Sequence, residues 1–281
     1  MNLAVLTSVE TRHRYFARRL HEALGVKAVV YEHIGYSPAA TESYDLTPDE
    51  ERIIREHFAD RARQEARYFG HSSEPFSRDD GVAVQELRSG QLNAPKSIAF
   101  LAEAGVDTIA VFGTNLIKPP LLTRYAGRCI NLHLGLSPYY RGTATNFYPL
   151  LNEEPEYVGA TIHLIDAGID SGPIFAHALP EIVADDGPHT IGCKAIAAGI
   201  EMMIEVLRRF GEGTIEPVPQ WSEPHARLHL RKDYHPRQVV DLHRKLSSGL
   251  IRRYVLHAKE RAGRFRLVTL RPSADIRPSR P

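Results

Sequence analysis

The 281-residue chain is 43% hydrophobic and 25% charged, ordinary values for a globular protein large enough to bury a substantial core. No apolar run approaches a membrane span and no basic-then-apolar leader opens the chain, which disfavours a membrane protein and points to the cytoplasm. The formal net charge of +1 conceals an asymmetry: from His225 onward 15 Lys/Arg face 4 Asp/Glu, leaving 20 basic and 30 acidic residues in the remainder. Those bases are interleaved with Leu, Val and Tyr, which favours neutralisation of an acidic body over recognition of a polyanion or an anionic substrate. Cys129 and Cys193 are the only cysteines, both in apolar surroundings, so buried reduced thiols are expected.

Residues 2–6 read as a first, central strand. A polar loop at 7–13 leads into a helix from about 12 to 24, with Tyr15, Phe16, Leu20, Ala23 and Leu24 on one side. The loop lies at a helix N-terminus, where free N–H groups favour an anion, so Thr7, Ser8, Arg12 and His13 are candidate substrate contacts. Glu10 argues against a tight phosphate cradle, and neither G-x-G-x-x-G nor G-x-x-x-x-G-K-[ST] occurs there, which disfavours dinucleotide and P-loop readings. Residues 27–31 form the second strand, and a long excursion from about 35 to 80 follows. Within it Thr47 caps a helix, with Pro48 in the first turn and Glu50 three residues after the cap. Ile54, Phe58, Ala62, Ala66 and Phe69 line one face and Gly70 stops it, a helix expected to pack over the site or against a second subunit. Residues 82–87 read as the third strand, 95–104 as a helix and 108–112 as a fourth strand, apolar throughout. Gly113, Thr114, Asn115, Leu116 and Ile117 follow, and Pro119-Pro120 opens a short helix to Tyr125.

The fifth strand starts at Cys129, after the turn signal Ala126-Gly127. Asn131 and His133, two apart, share one face of it, while Leu132 and Leu134 point the other way. A polar pair at a strand end, followed at once by the loop Gly135, Leu136, Ser137, Pro138, Tyr139, Tyr140, Arg141, Gly142, is where open α/β sheets place ligands. Asn supplies a neutral donor and His a group that titrates near neutrality, a combination that steadies an oxyanion and moves a proton. On these two residues alone a structural histidine is the commoner reading.

A helix at about 144–151 and a strand at 158–165 precede the loop 166–172, in which glycines let the backbone around Asp170 approach a ligand. Residues 173–178 return as an antiparallel edge strand, and the helix at about 189–210 buries Ile196, Ala197, Ile200, Met203, Ile204 and Leu207. Beyond Gly211 come a linker at 217–221, a strand at 227–230, a helix at 236–246, an apolar-basic run at 250–255, a hairpin arm at 263–270 and a frayed last ten residues. The alternation predicts an α/β fold: a doubly wound, mostly parallel twisted sheet with a small C-terminal α+β appendage. The expected division is 1–211, carrying the helical insertion at about 35–80, and a basic segment at 212–281.

Asn131-x-His133, the loop from Leu136 to Gly142, and Ile169-Asp170-Ser171-Gly172 together resemble the signature of folate-dependent formyltransferases. That family includes the glycinamide ribonucleotide and methionyl-tRNA formyltransferases and the standalone sugar N-formyltransferases. The resemblance covers about 2–210 in element order. It implies a Rossmann-like formyltransferase fold, 10-formyltetrahydrofolate as formyl donor, a primary amine as acceptor, and no metal. It makes Asn131, His133 and Asp170 catalytic: Asn131 donates to the formyl oxygen, protonated His133 stabilises developing charge, and Asp170 keeps His133 charged and relays protons through a water. It also implies a pterin pocket built from backbone groups at Ile165, Asp166, Ala167, Gly168 and Ile169 and at Thr114, Asn115, Leu116 and Ile117, although Leu116 and Ile117 read equally well as core.

Departures from the family pattern narrow the acceptor. Leu136-Ser137-Pro138 replaces the usual Leu-Leu-Pro, a small change that keeps the turn. Residues 7–13 replace the glycine-rich phosphate loop of the purine enzyme, which argues against glycinamide ribonucleotide. The C-terminal portion is too short for the full tRNA-binding domain, so nucleic acid is disfavoured as a partner. The expectation is a small-molecule amine such as a nucleotide-linked amino sugar, touched by Tyr139, Tyr140, Arg141 and Asn146, with the alternative that the two tyrosines only brace the loop. A formyltetrahydrofolate hydrolase ranks lower, since that family carries an N-terminal regulatory domain where this chain starts on a strand. A methionyl-tRNA formyltransferase-like enzyme and a non-catalytic folate-binding protein remain as alternatives. A homodimer is open, with the helix at 47–69 and the C-terminal arm as its contact elements.

Overall fold

Apolar pentapeptides build the centre of the molecule. β1 (Leu3–Thr7), β2 (Ala28–Glu32) and β4 (Thr108–Phe112) are buried along their whole length, as strands covered on both faces must be. With β3 (Ala83–Leu87), β5 (Cys129–Leu134), β7 (Ala160–Leu164) and β8 (Ile174–Ala178) they form one seven-stranded sheet in the order β3-β2-β1-β4-β5-β7-β8. Pairings from β3 through β5 are parallel; β7 lies antiparallel to β5, and β8 antiparallel to β7 at the edge. The doubly wound, mostly parallel sheet read from the alternation of elements is therefore present. The computed structural model describes residues 1–34, 44–263 and 265–270. The start of the expected excursion, at 35–43, and the last ten residues lie outside them.

The two sheet faces are covered unequally. On one face α1 (Thr11–Leu24) and α6 (Pro188–Glu212) bring Phe16, Leu20, Ile200, Met203 and Leu207 against Val5, Ile130, Leu132 and Ile162. On the other, α3 (Pro95–Glu103) and α4 (Leu121–Arg124) pack Leu101 and Leu121 against Ala4, Leu6, Val30, Ile109 and Val111. Farther along this second face β5, β7 and β8 present a polar strip. Register sets Asn131 opposite His163, His133 opposite Thr161, and Thr161 opposite His177, and cross-strand partners share a face. Loops cover the strip. Thr161 Oγ1 donates to the Gly135 carbonyl (2.6 Å) and accepts from Ser137 N (2.9 Å), while His177 Nε2 meets the Ser137 carbonyl at 2.8 Å. Both cysteines are free and buried.

The inserted helix α2 (Pro48–Phe69) starts at the expected capping box: Glu50 N donates to Thr47 Oγ1, and Thr47 N donates to the Glu50 carboxylate. It packs on α1, α6 and α7 (Arg237–Ser247). The expected helix at 144–151 shortens to α5 (Tyr148–Leu151). Ala144 adopts a left-handed φ of 56°, which keeps it out of the helix, and the turn that follows it, closed by Tyr148 N on the Ala144 carbonyl, leads into α5. In the C-terminal region β9 (Arg227–His229) pairs with β6 (Tyr140–Gly142), and α8 (Leu250–Ala262) follows α7. The described residues of 263–270 form no strand, correcting the hairpin expectation: Val268 instead exchanges backbone and side-chain hydrogen bonds with His177. Basic side chains of this region meet acidic ones of the body, as in Arg227–Glu154, Arg237–Glu50, Arg253–Glu153 and Arg261–Glu156.

Three histidines from three helices meet where α2, α6 and α7 converge. His57 Nδ1 lies 3.1 Å from His243 Nε2, and the His57 and His189 rings are 4.2 Å apart. Burial, then the neighbouring imidazoles and Arg61, push His57 down to about 2; burial first pushes His189 down to about 4, with Arg61 and His243 adding to it against Asp60 and Glu65, and burial lowers His243 against Asp60 and Glu56. Folded rings that refuse a proton which unfolded imidazoles take up make stability rise with pH. The stability contributed by these rings is complete above about pH 6.5 and is lost as pH falls towards 4. Between pH 7.5 and 5 the loss in denaturant-derived unfolding free energy should be smaller in His57→Gln than in the parent, by about 2 kcal/mol. Equal acid sensitivity in the two would refute the assignment.

Candidate active site

Leu164 ends β7 and Ile174 begins β8, so residues 165–173 leave the sheet and return within one loop. The return runs so close to the outgoing strand that a Cβ on Gly172 would collide with the Leu164 carbonyl. Asp166 Oδ1 organises the loop by accepting from Gly168 N (3.0 Å) and Ser171 Oγ (2.8 Å). Asp170 then takes a left-handed φ of 47°, which brings its carboxylate onto the polar strip.

There Asp170 Oδ2 lies 3.3 Å from His133 Nδ1 and accepts from Gly142 N at 2.9 Å. Asp170 Oδ1 lies 3.5 Å from both His163 Nε2 and Asn131 Nδ2. His163 Nδ1 donates to the Leu164 carbonyl (2.7 Å), so in the neutral ring Nε2 accepts from Asn131 Nδ2 at 3.1 Å. His133 Nε2 faces the Tyr140 carbonyl at 3.0 Å. Gly142 is at φ 92°, and a side chain there would strike the His229 carbonyl of β9, so the N–H that holds Asp170 belongs to a position built for glycine.

Burial opposes ionisation of Asp170, but His133, the His163 contact and the Gly142 N–H outweigh it and hold the carboxyl well below the usual carboxylate range. His133 responds differently. Burial moves its pKa below the ordinary imidazole value, against the pull of Asp170 and the Tyr140 carbonyl, with His163 and Arg141 adding to the depression. The expectation that Asp170 keeps the resting His133 charged is thus opposed by desolvation. Asn131 also differs from expectation: its amide hydrogens turn inward, to His163 and Asp170, and an oxyanion would have to take over the long 3.5 Å contact. Such a cluster can hold an ionised carboxylate, accept a proton on His133 and donate to a developing oxyanion.

His163 escaped the sequence reading. Its place two residues after Thr161, on the strand leading into the Asp170 loop, was the available signal, but only the antiparallel register with β5 sets it opposite Asn131.

The remaining expected contacts divide. Thr7 and Ser8 are fully buried, and Thr7 Oγ1 donates to the Phe112 carbonyl. Arg12 turns to Glu65 of α2, its Nη1 donating to both carboxylate oxygens at 2.9 Å. His13 is buried against Phe112 and paired with Glu10 at 2.6 Å. Tyr139 and Tyr140 brace the loop: the Tyr139 hydroxyl bonds both backbone groups of Arg266, and the Tyr140 hydroxyl gathers Glu154, Asn152 and Arg227. Arg141 Nε and Asn146 Nδ2 are buried without a partner. Of the two pterin-pocket segments, Ile117 and Ile165 share one apolar cluster, Leu116 is 53% exposed, and Asp166, Ala167 and Gly168 are exposed. The Asn115 side chain bonds Ser89 and Arg231, and Thr114 bonds the Asn115 carbonyl; Ile169 is half-buried. Among the described residues no group of three or more His, Cys, Asp or Glu is placed to hold a metal, and no helix is long and apolar enough to cross a membrane.

The family model described as Formyl transferase matches residues 52–207. A methionyl-tRNA formyltransferase from Thermodesulfovibrio yellowstonii is 38% identical over 105 residues, covering 37% of this chain and 34% of that protein. The chain spans no more than half the length of the curated relatives compared. In fold it is similar to phosphoribosylglycinamide formyltransferase from Anaplasma phagocytophilum (TM-score 0.55, 15% identity, 82% of this chain and 98% of that one). It is also similar to the formyltransferase PseJ from Anoxybacillus kamchatkensis, solved with UDP-4,6-dideoxy-4-formamido-L-AltNAc and tetrahydrofolate (TM-score 0.50, 19% identity, 85% and 97%).

The Arg12–Glu65 pair is nearly buried, with side chains 15% and 12% exposed. Arg61 Nε also reaches Glu65 Oε1, at 2.8 Å, so Arg12→Met should lower unfolding free energy by about 1–2 kcal/mol, leaving Glu65 with one guanidinium where it had two, and the double replacement Arg12→Met/Glu65→Met should recover part of it. A denaturant series on the three proteins checks this; an unchanged single variant would show that the pair does not clamp α2.

Proposed function

We propose, on the premise that this chain belongs to the formyl transferase family, that it moves a formyl group from 10-formyltetrahydrofolate to a primary amine of a small substrate, with a nucleotide-linked amino sugar as the acceptor class. The observation that carries the reading is the Asp170 carboxylate, drawn from a distant loop onto His133, Asn131 and His163. The amino-sugar acceptor is supported by the side chains of Thr7, Arg12 and His13, whose internal bonds leave no phosphate cradle at the α1 N-terminus, and by the nucleotide sugar named with the PseJ neighbour.

The residues present fit the donor. An exposed leucine, Leu116, precedes buried Ile117, which shares an apolar cluster with Ile165, and the exposed loop at 166–168 follows Ile165; this supports a donor site with one apolar side chain for a flat ring and backbone groups for its polar edge. When bound, the donor supplies a formyl carbon activated on nitrogen. Asp170 stays ionised and fixes the His133 ring. His133, kept short of a second proton by burial and holding its Nε2–H on the Tyr140 carbonyl, receives at Nδ1 the proton the attacking amine loses as the new nitrogen–carbon bond forms, and that proton passes to the nitrogen that departs as the old bond breaks. Asn131 donates to the carbonyl oxygen as that oxygen gains charge.

A second reading, with methionyl-tRNA as acceptor, is supported by the names of the curated relatives. Donor consumption should be followed without an amine, with amino-sugar nucleotides, and with methionyl-tRNA. Turnover is expected only with an amino-sugar nucleotide, and His133→Ala and Asp170→Asn should each reduce kcat by about 10²–10³-fold while donor affinity stays within a few-fold. Turnover on methionyl-tRNA alone would replace the acceptor class, rapid breakdown of the donor by itself would make the protein a hydrolase, and an active His133→Ala would overturn the mechanism.

A further inference from the structure

The contacts made by the Asp170 carboxylate aim its side chain but do not account for its backbone, which sits in the left-handed region that few side chains adopt without support. That support comes from outside the loop. The carbonyls of Asp170 and Gly172 converge on one donor, Gln220 Nε2, at 2.8 and 2.9 Å. Gln220 lies beyond α6 and outside the residues matched by the family model. Its reach is set two residues earlier, where Val218 exchanges backbone hydrogen bonds of 2.7 and 2.8 Å with Ile174, the first residue of β8. Two carbonyl acceptors permit only one orientation of the amide, the one that leaves Gln220 Oε1 buried without a partner. An unpartnered acceptor is a cost that a purely space-filling side chain would not carry.

We infer that Gln220 is a positioning residue: its amide bridges the Asp170 and Gly172 carbonyls and holds Asp170 in the conformation that places Oδ2 on His133 and Oδ1 on His163 and Asn131. Without the donor, two carbonyls lose their shared partner and the loop relaxes towards right-handed backbone, withdrawing the carboxylate from His133. The catalytic consequence rests on the formyl-transfer reading; the structural one rests on the hydrogen bonds alone. The test separates them.

Histidine side-chain NMR titrations of the full chain would compare the parent with Asp170→Asn, Gln220→Ala and Gln220→Met, the last keeping length and volume without a donor and serving if the alanine variant does not fold. Asp170→Asn should move the His133 titration to lower pH by removing the adjacent carboxylate, and the Gln220 variants should move it the same way by a smaller amount. In the formyl-transfer assay, kcat for the Gln220 variants should fall by about 10–10²-fold, with KM for the amine within about threefold. A folded Gln220 variant whose His133 titration matches the parent within about 0.1 pH unit, while Asp170→Asn shifts it, would overturn the inference whatever the activity. A shifted titration in a protein that shows no formyl transfer would uphold the positioning role and reject the reaction.

Discussion

Keeping a carboxylate charged inside the fold is the constraint on which the rest of this structure depends. Asp170 is largely withdrawn from water, so its hydration has to be replaced by protein groups. The replacements come from separate parts of the chain: His133 and Asn131 from β5 and the Gly142 N–H from β6, with His163 of β7 holding the Asn131 amide in turn. None of these segments can shift without leaving a buried charge short of partners. The polar strip on β5, β7 and β8, the loop over it and the glycine at 142 follow from that one requirement.

Satisfying the carboxylate also divides the protonation states of the pair. The same burial that raises the demand for donors at Asp170 lowers the proton affinity of His133, since desolvation penalises whichever form is charged. The carboxylate, with several donors, stays ionised, and the imidazole is left able to take a proton. A base of this kind next to a fixed anion suits an acyl-type transfer in which an amine must lose a proton as it attacks.

The C-terminal segment is part of this arrangement. β9 pairs with β6, the strand that contributes both the Tyr140 carbonyl facing His133 and the N–H holding Asp170. Its arginines are largely engaged with carboxylates of the body, and exposed pairs of this kind contribute little stability individually. Their effect is to let a basic segment lie against an acidic one. The charge asymmetry along the chain is thus a folding feature of the described residues. α2 is tied down in a similar way, by Arg12–Glu65 and by the meeting of His57, His189 and His243.

Local rules in the sequence were enough for the elements. The apolar runs at β1, β2 and β4, the Thr47–Glu50 cap and the spacing of Asn131 and His133 act within a few residues, and they appear in the structure where the periodicities place them. A resemblance of motifs, and no local signal, connects Asp170 to His133 in the sequence. Other roles were settled only by distance-spanning contacts. Arg12 lay at a helix N-terminus that suits an anion, yet Glu65 reached it first. The sequence allows Tyr140 to be a ligand contact or a brace, and Glu154, Asn152 and Arg227 around its hydroxyl make it a brace. His163 and Gln220 carried no motif at all. Which side chain faces Asn131 depends on the register of an antiparallel pair, where a slip of one residue turns every side chain to the other face. Sequence alone therefore determined which strands and helices form and which residues are chemically able to act. Tertiary structure decided which of them meet, because burial, register and the competition among partners for one charge are properties of the packed chain.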